Sequence, residues 1–176
     1  MQHAVSSIIT PSAALVLANT ERLLIGIPDI RAARFSSPAE KSIVSNHPAF
    51  VIGHLSLYSG RGMDLIGKPR GVTERPAGWE DLFKAGVECR DDPMGTIYPP
   101  LHELTEHYFK GYRAFIEAIN ATPDDVFYKP NPSGGRMAEL FPTVGALISF
   151  LIGAHPMLHL GQLSAWRRME GMPPAV

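Results

Sequence analysis

With 176 residues, 45% of them hydrophobic, and a formal net charge of −1, the chain fits one domain of ordinary size with its own core. The near-zero charge, without a long run of either sign, argues against a dedicated nucleic-acid binder, which needs a basic face. Cys89 is the only cysteine, so an internal disulfide is ruled out and a reducing cytoplasm is expected; no charged leader or stretch approaching roughly 20 apolar residues announces secretion or a membrane span.

The first predicted helix runs from Pro11 to about Gly26. Thr10 suits the N-cap and Pro11 the first helical position, while Gly26 and Pro28 stop the run. Leu15, Ala18, Arg22 and Ile25 mark one face of it. A second helix is expected from about His47 to Ile66, capped by Asn46, with Phe50, His54, Leu57 and Met63 near one stripe. From Gly67 to Pro99 comes a connection rich in Pro and Gly that holds Trp79 and Cys89. It is too long for a simple link, so it is expected to cover or rim a functional pocket. The third helix, from about Pro100 to Asn120, repeats Leu101, Leu104, Tyr108, Tyr112, Phe115 and Ile119 at a period near 3.6. Asn131-Pro132-Ser133-Gly134-Gly135 is a turn, and a fourth helix runs from Thr143, as cap, to Glu170. No segment alternates with period two. The expected class is all-α: a single four-helix bundle over residues 1–176 with long connecting loops, one of them long enough for a crossover.

His155 and His159 stand one turn apart in the fourth helix, so both imidazoles share a face and can converge on one cation. The flanking residues are mostly apolar, which turns that face toward a core. A pair of helix histidines bonded to each other or to a buried carboxylate is the plainer alternative. A catalytic zinc takes three protein ligands. His54, mid-helix among Val51, Ile52, Leu55 and Leu57, is the best third one; His47 is expected to be exposed at a helix start. His102 and His107 are five apart, do not share a face, and read as a solvated helix start. Pro156 interrupts the pair, and a kink there would re-aim His155.

The blocks Asn46-His47-Pro48-Ala49-Phe50-Val51-Ile52-Gly53-His54-Leu55 and His155-Pro156-Met157-Leu158-His159-Leu160-Gly161-Gln162-Leu163, with Trp166-Arg167-Arg168 and the closing Gly171-Met172-Pro173-Pro174, resemble the DinB/YfiT-like superfamily. The resemblance implies a four-helix bundle of the DinB type holding a divalent metal, zinc or nickel foremost, through His54, His155 and His159. Pro156 is a departure from the family's pattern. Some relatives transfer low-molecular-weight thiols, so the implied activity is a metal-dependent thiol S-transferase acting on a small electrophile. A metal-dependent hydrolase, and a non-catalytic metal- or ligand-binding or stress-response protein, stay open beside it. The partners expected are a small molecule, a thiol by the resemblance, and a second copy of the chain in a homodimer, with no nucleic acid and no membrane. Gln162, three residues after His159, is placed either to orient a ligand imidazole or to bridge helices. Arg167 and Arg168 suit the negative end of the helix dipole, Tyr58 is a candidate pocket wall or core residue, and Cys89 has no base beside it in sequence to make it a nucleophile.

Overall fold

The structure is a computed structural model that describes residues 4–175. Four long helices carry the core: α1 (Ala4–Leu24), α2 (Pro48–Leu65), α3 (Leu101–Asn120) and α4 (Val144–Met169). Short helices, Asp29–Ala32, Trp79–Phe83, Asp124–Phe127 and Gly135–Leu140, lie in the connections. The only β pairing among the described residues is two isolated bridges, Ser36 to Ile43 and Pro130 to Thr143, so the all-α class holds.

The clearest amphipathic pattern is in α3, where Leu101, Leu104, Tyr108, Tyr112, Phe115 and Ile119 are all buried as their spacing requires. By contrast, α2 is buried on almost every side, because it packs against α3, α4 and the short helix Trp79–Phe83 together. Two glycines permit this. A β-carbon on Gly53 would overlap the Phe83 ring, and one on Gly62 would overlap Phe115. The start of α2 differs from expectation. His47, not Asn46, is the cap: its Nδ1 accepts from Phe50 N–H at 3.1 Å, and the ring is fully buried.

The first helix is already formed at Ala4, seven residues before the expected start, and Pro11 lies inside it. The N–H groups of Ala4 and Val5 donate to the carboxylate of Asp124, the first residue of the short helix Asp124–Phe127 that follows α3. That cap is tertiary and leaves no mark beside Thr10, whose hydroxyl instead donates back to Ser6 O at 2.9 Å. The expected face is corrected too. Leu15 and Ile25 are exposed, whereas Ala13, Val16 and Thr20 are buried.

Thr143 caps α4 as expected, its Oγ1 accepting from Ala146 N–H. Between Phe150 and Ala154 the helix widens into a π turn, with His155 N–H donating to Phe150 O. The turn answers Pro156. A proline has no N–H to donate and its ring crowds the carbonyl four residues back, so the ladder re-forms one residue longer, and Pro156 becomes an opening residue of the segment His155–Met169. By length and composition alone α4 could cross a membrane, with a mean hydropathy of 1.5 in its most apolar window; here it packs on α1 and α2.

Going round the molecule, the order is α1, α3, α2, α4, with each helix touching its two neighbours. Ser59 lies by Gly111 and Gly62 by Phe115, so α2 and α3 run parallel. Thr20 bonds Tyr108 while Ala4 meets Asp124, so α1 and α3 are antiparallel. Asn46 meets Gln162 and His54 meets His155, so α2 and α4 are antiparallel as well. A parallel pair cannot be joined by a tight turn. The chain between α2 and α3 must travel back along a helix of about 27 Å, at 1.5 Å per residue, which accounts for the long connection.

Candidate metal centre

His54, His155 and His159 come together between α2 and α4, and one ring nitrogen from each lies within 4.8 Å of the other two. The Nε2 of His155 is 3.3 Å from that of His54 and 3.1 Å from that of His159. His54 donates Nδ1–H to the Phe83 carbonyl at 2.7 Å, and a carbonyl can only accept, so its Nε2 is a lone pair. His159 Nδ1 is 3.0 Å from Gln162 Oε1, an oxygen that also accepts from Asn46 at 3.0 Å. Its Nε2 is therefore a lone pair too. Both point at His155, whose Nδ1 is buried without a partner.

This arrangement is short of protons. His155 Nε2 can carry one hydrogen, and two lone pairs face it, so one is left without a donor. Burial pushes the His54 imidazole down to about 4 and His155 to about 3, with the neighbouring histidines and Arg61 adding to the effect. His159 is lowered by the same burial against the raising influence of Gln162. Neutral rings are the form that binds metal. Nitrogens held about 2.0–2.1 Å from a tetrahedral ion stand about 3.3–3.4 Å apart, and the two measured edges approach that spacing. The donor set fits a borderline divalent cation, without naming which. Among the described residues no further His, Cys, Asp or Glu joins the group, so the shell supplies three protein ligands. Structural zinc sites close with four, and catalytic ones keep three.

The surroundings show what orients the rings. The short helix Trp79–Phe83, midway along the crossover connection, delivers the Phe83 carbonyl to His54, so that connection does reach the site. Gln162 fills both roles expected of it: it orients His159 and, through Asn46, ties α4 to the entry of α2. The Tyr58 ring centroid is 5.0 Å from that of His54 and 4.4 Å from that of His155, which makes it a wall of the site. Asn46 and the Phe83 backbone escaped sequence reasoning. Asn46 had read as a cap, and a carbonyl has no signature in a residue's name.

The remaining candidates lie apart. His47 donates Nε2–H to the Arg90 carbonyl and is wholly structural. His107 packs its ring 5.0 Å from Trp79, and His102 is exposed. Cys89 is buried, which pushes its thiol up to about 11, so it is no nucleophile at neutral pH. Arg167 is not a surface charge at a helix end: it is buried and donates to the carbonyls of Leu23 and Ile25, closing the end of α1. Comparison with protein-family models, with characterised proteins and with solved structures finds no match.

Proposed function

We propose that this chain is a divalent-metal protein of the DinB/YfiT-like type, a cytoplasmic four-helix bundle in which His54, His155 and His159 hold one zinc or nickel ion. We propose further that it transfers a small thiol to a small electrophile. The observation that carries the metal reading is the convergence of three neutral imidazoles, one buried and two half-buried, with the His155 Nε2 standing 3.1 Å from that of His159 and 3.3 Å from that of His54. The resemblance of the two histidine blocks to that superfamily carries the reaction class.

A divalent ion in this shell would supply a Lewis acid that lowers the pKa of a bound thiol or water. The chain's own residues prepare the site. The Phe83 carbonyl and Gln162 amide hold the outer ring protons, so two lone pairs face inward. Burial keeps the rings uncharged. Cys89 is sequestered, so the nucleophile comes from outside. In the transfer a sulfur–carbon bond forms while the electrophile's leaving group departs and the thiol proton passes to solvent.

Metal analysis of protein purified without an affinity tag is the first test, with one ion per chain expected. Single Ala variants of the three histidines should each lose it; full occupancy in all three would sink the site. Metal-loaded protein is then offered a thiol panel with a chromogenic electrophile. Turnover should require metal, thiol and His155. Ester or amide hydrolysis without a thiol would move the reading to a hydrolase, and inactivity in both assays would leave a non-catalytic metal binder.

A further inference from the structure

A cavity of about 260 Å³ opens between α2, α4 and the segment around Gly135–Leu140, lined by Tyr58, Arg61, Leu65, Met137, Leu147 and Leu151, with Ser133 at its edge. It adjoins the histidine cluster. Tyr58 belongs to both, its ring centroid 4.4 Å from that of His155 and its side chain among those lining the cavity. The size lies just below the range of pockets that take drug-sized ligands, which suits a metabolite-sized body. The walls are aliphatic except for Tyr58, Ser133 and one charged group, Arg61.

Arg61 is placed by contacts that leave it capacity. Its Nη2 donates to Glu80 Oε1 at 2.8 Å, and the guanidinium carbon stands 4.9 Å from the centroid of the Tyr58 ring. Glu80 is shared, since Arg75 lies 3.1 Å from its other oxygen. Two guanidiniums thus divide one carboxylate, and a guanidinium has five donors. No acidic residue lines the cavity. Nor does one join the histidine cluster, so any cation held there brings positive charge that the protein does not neutralise. Ligands entering this cavity meet an apolar chute with cationic character at its side.

We propose that this cavity is the subsite for the electrophilic substrate and that Arg61 selects a small molecule with an aliphatic body and one carboxylate head. The substrate-class assignment rests on the metal-centre reading, but the anion preference of the cavity does not, and the two can be told apart. Hexanoate, hexanamide and hexylamine are the probes, followed by ligand-observed NMR, on the protein as purified and after chelator treatment, with metal content measured in parallel.

Hexanoate should bind about tenfold or more tightly than hexanamide, the advantage expected of a charge-assisted hydrogen bond, and hexylamine least. Arg61→Met should erase that preference and Arg61→Lys should keep part of it, which shows that the fold survives changes at this position. Met137→Trp, at the partly exposed wall, should weaken hexanoate and hexanamide alike. Metal content should be unchanged in all three variants. The preference should also persist after chelation, so a protein that never held metal would refute the metal reading and leave this result standing. Equal binding of the three probes, or a hexanoate preference that survives in Arg61→Met, would overturn the proposal.

Discussion

His155 offers Nε2 to two other ring nitrogens and Nδ1 to nothing, while its two companions are each held from behind by an oxygen. The unmet polar demand of the site therefore falls on one ring. His159→Ala should abolish stoichiometric metal binding in a titration calorimeter, and His102→Ala, at an exposed position, should change nothing. Gln162→Leu should be intermediate. It removes the oxygen that orients His159 but no ligand, so metal affinity should fall about 10- to 100-fold; unchanged affinity would reduce Gln162 to a helix bridge. His47 gives a separate test at the same scale. Burial pushes its imidazole down to about 4, below the ordinary 6.5 it regains on unfolding. Below pH 6.5 the unfolded chain takes up the proton first, so stability present above that pH is lost as the pH falls toward 4. A shift of that size corresponds to a loss on the order of 3 kcal/mol. Urea unfolding of wild type and His47→Asn at pH 7 and 4.5 checks the sign: asparagine still caps a helix but does not titrate, so the variant's pH-dependent loss should be smaller.

At the scale of the element, the helices differ in how much of their reason lies within themselves. The third helix is self-explanatory: Leu101 through Ile119 repeat at helical spacing, and every residue of the stripe is buried. His155 and His159 were legible for the same reason, because i,i+4 spacing puts two rings on one face whatever surrounds the helix. The first helix was misread because its cap, Asp124, lies about 120 residues away, and nothing near Thr10 records it. The π turn was not foreseen either. Pro156 announced a disturbance, but whether a helix kinks or widens depends on what packs beside it. Gly53 looks unremarkable in sequence and is decisive in space. Gly53→Ala should push Phe83 away and its carbonyl off His54, costing about 1–3 kcal/mol by overpacking and weakening metal binding, both readable from a melting curve and a metal titration. A variant with unaltered melting and unaltered affinity would mean that the short helix Trp79–Phe83 adjusts without consequence.

At the scale of the whole molecule, the parallel course of α2 and α3 obliges the crossover, and the crossover carries the group that aims His54. His54 and His155 are 101 positions apart in the chain, so the cluster cannot assemble from any local fragment. A cation bound there behaves as a removable cross-link between the two halves of the chain, present in the native state and absent from the unfolded one. Mass action would then tie persistence of the fold to metal supply: at a hundredfold excess over Kd the native state should gain about 2.7 kcal/mol, seen as a melting temperature that climbs with metal concentration and stays flat in His159→Ala. A newly made chain would gain that clasp only after its last helix docks. Until then, the concentration of free ion around it would have no bearing on how long it survives.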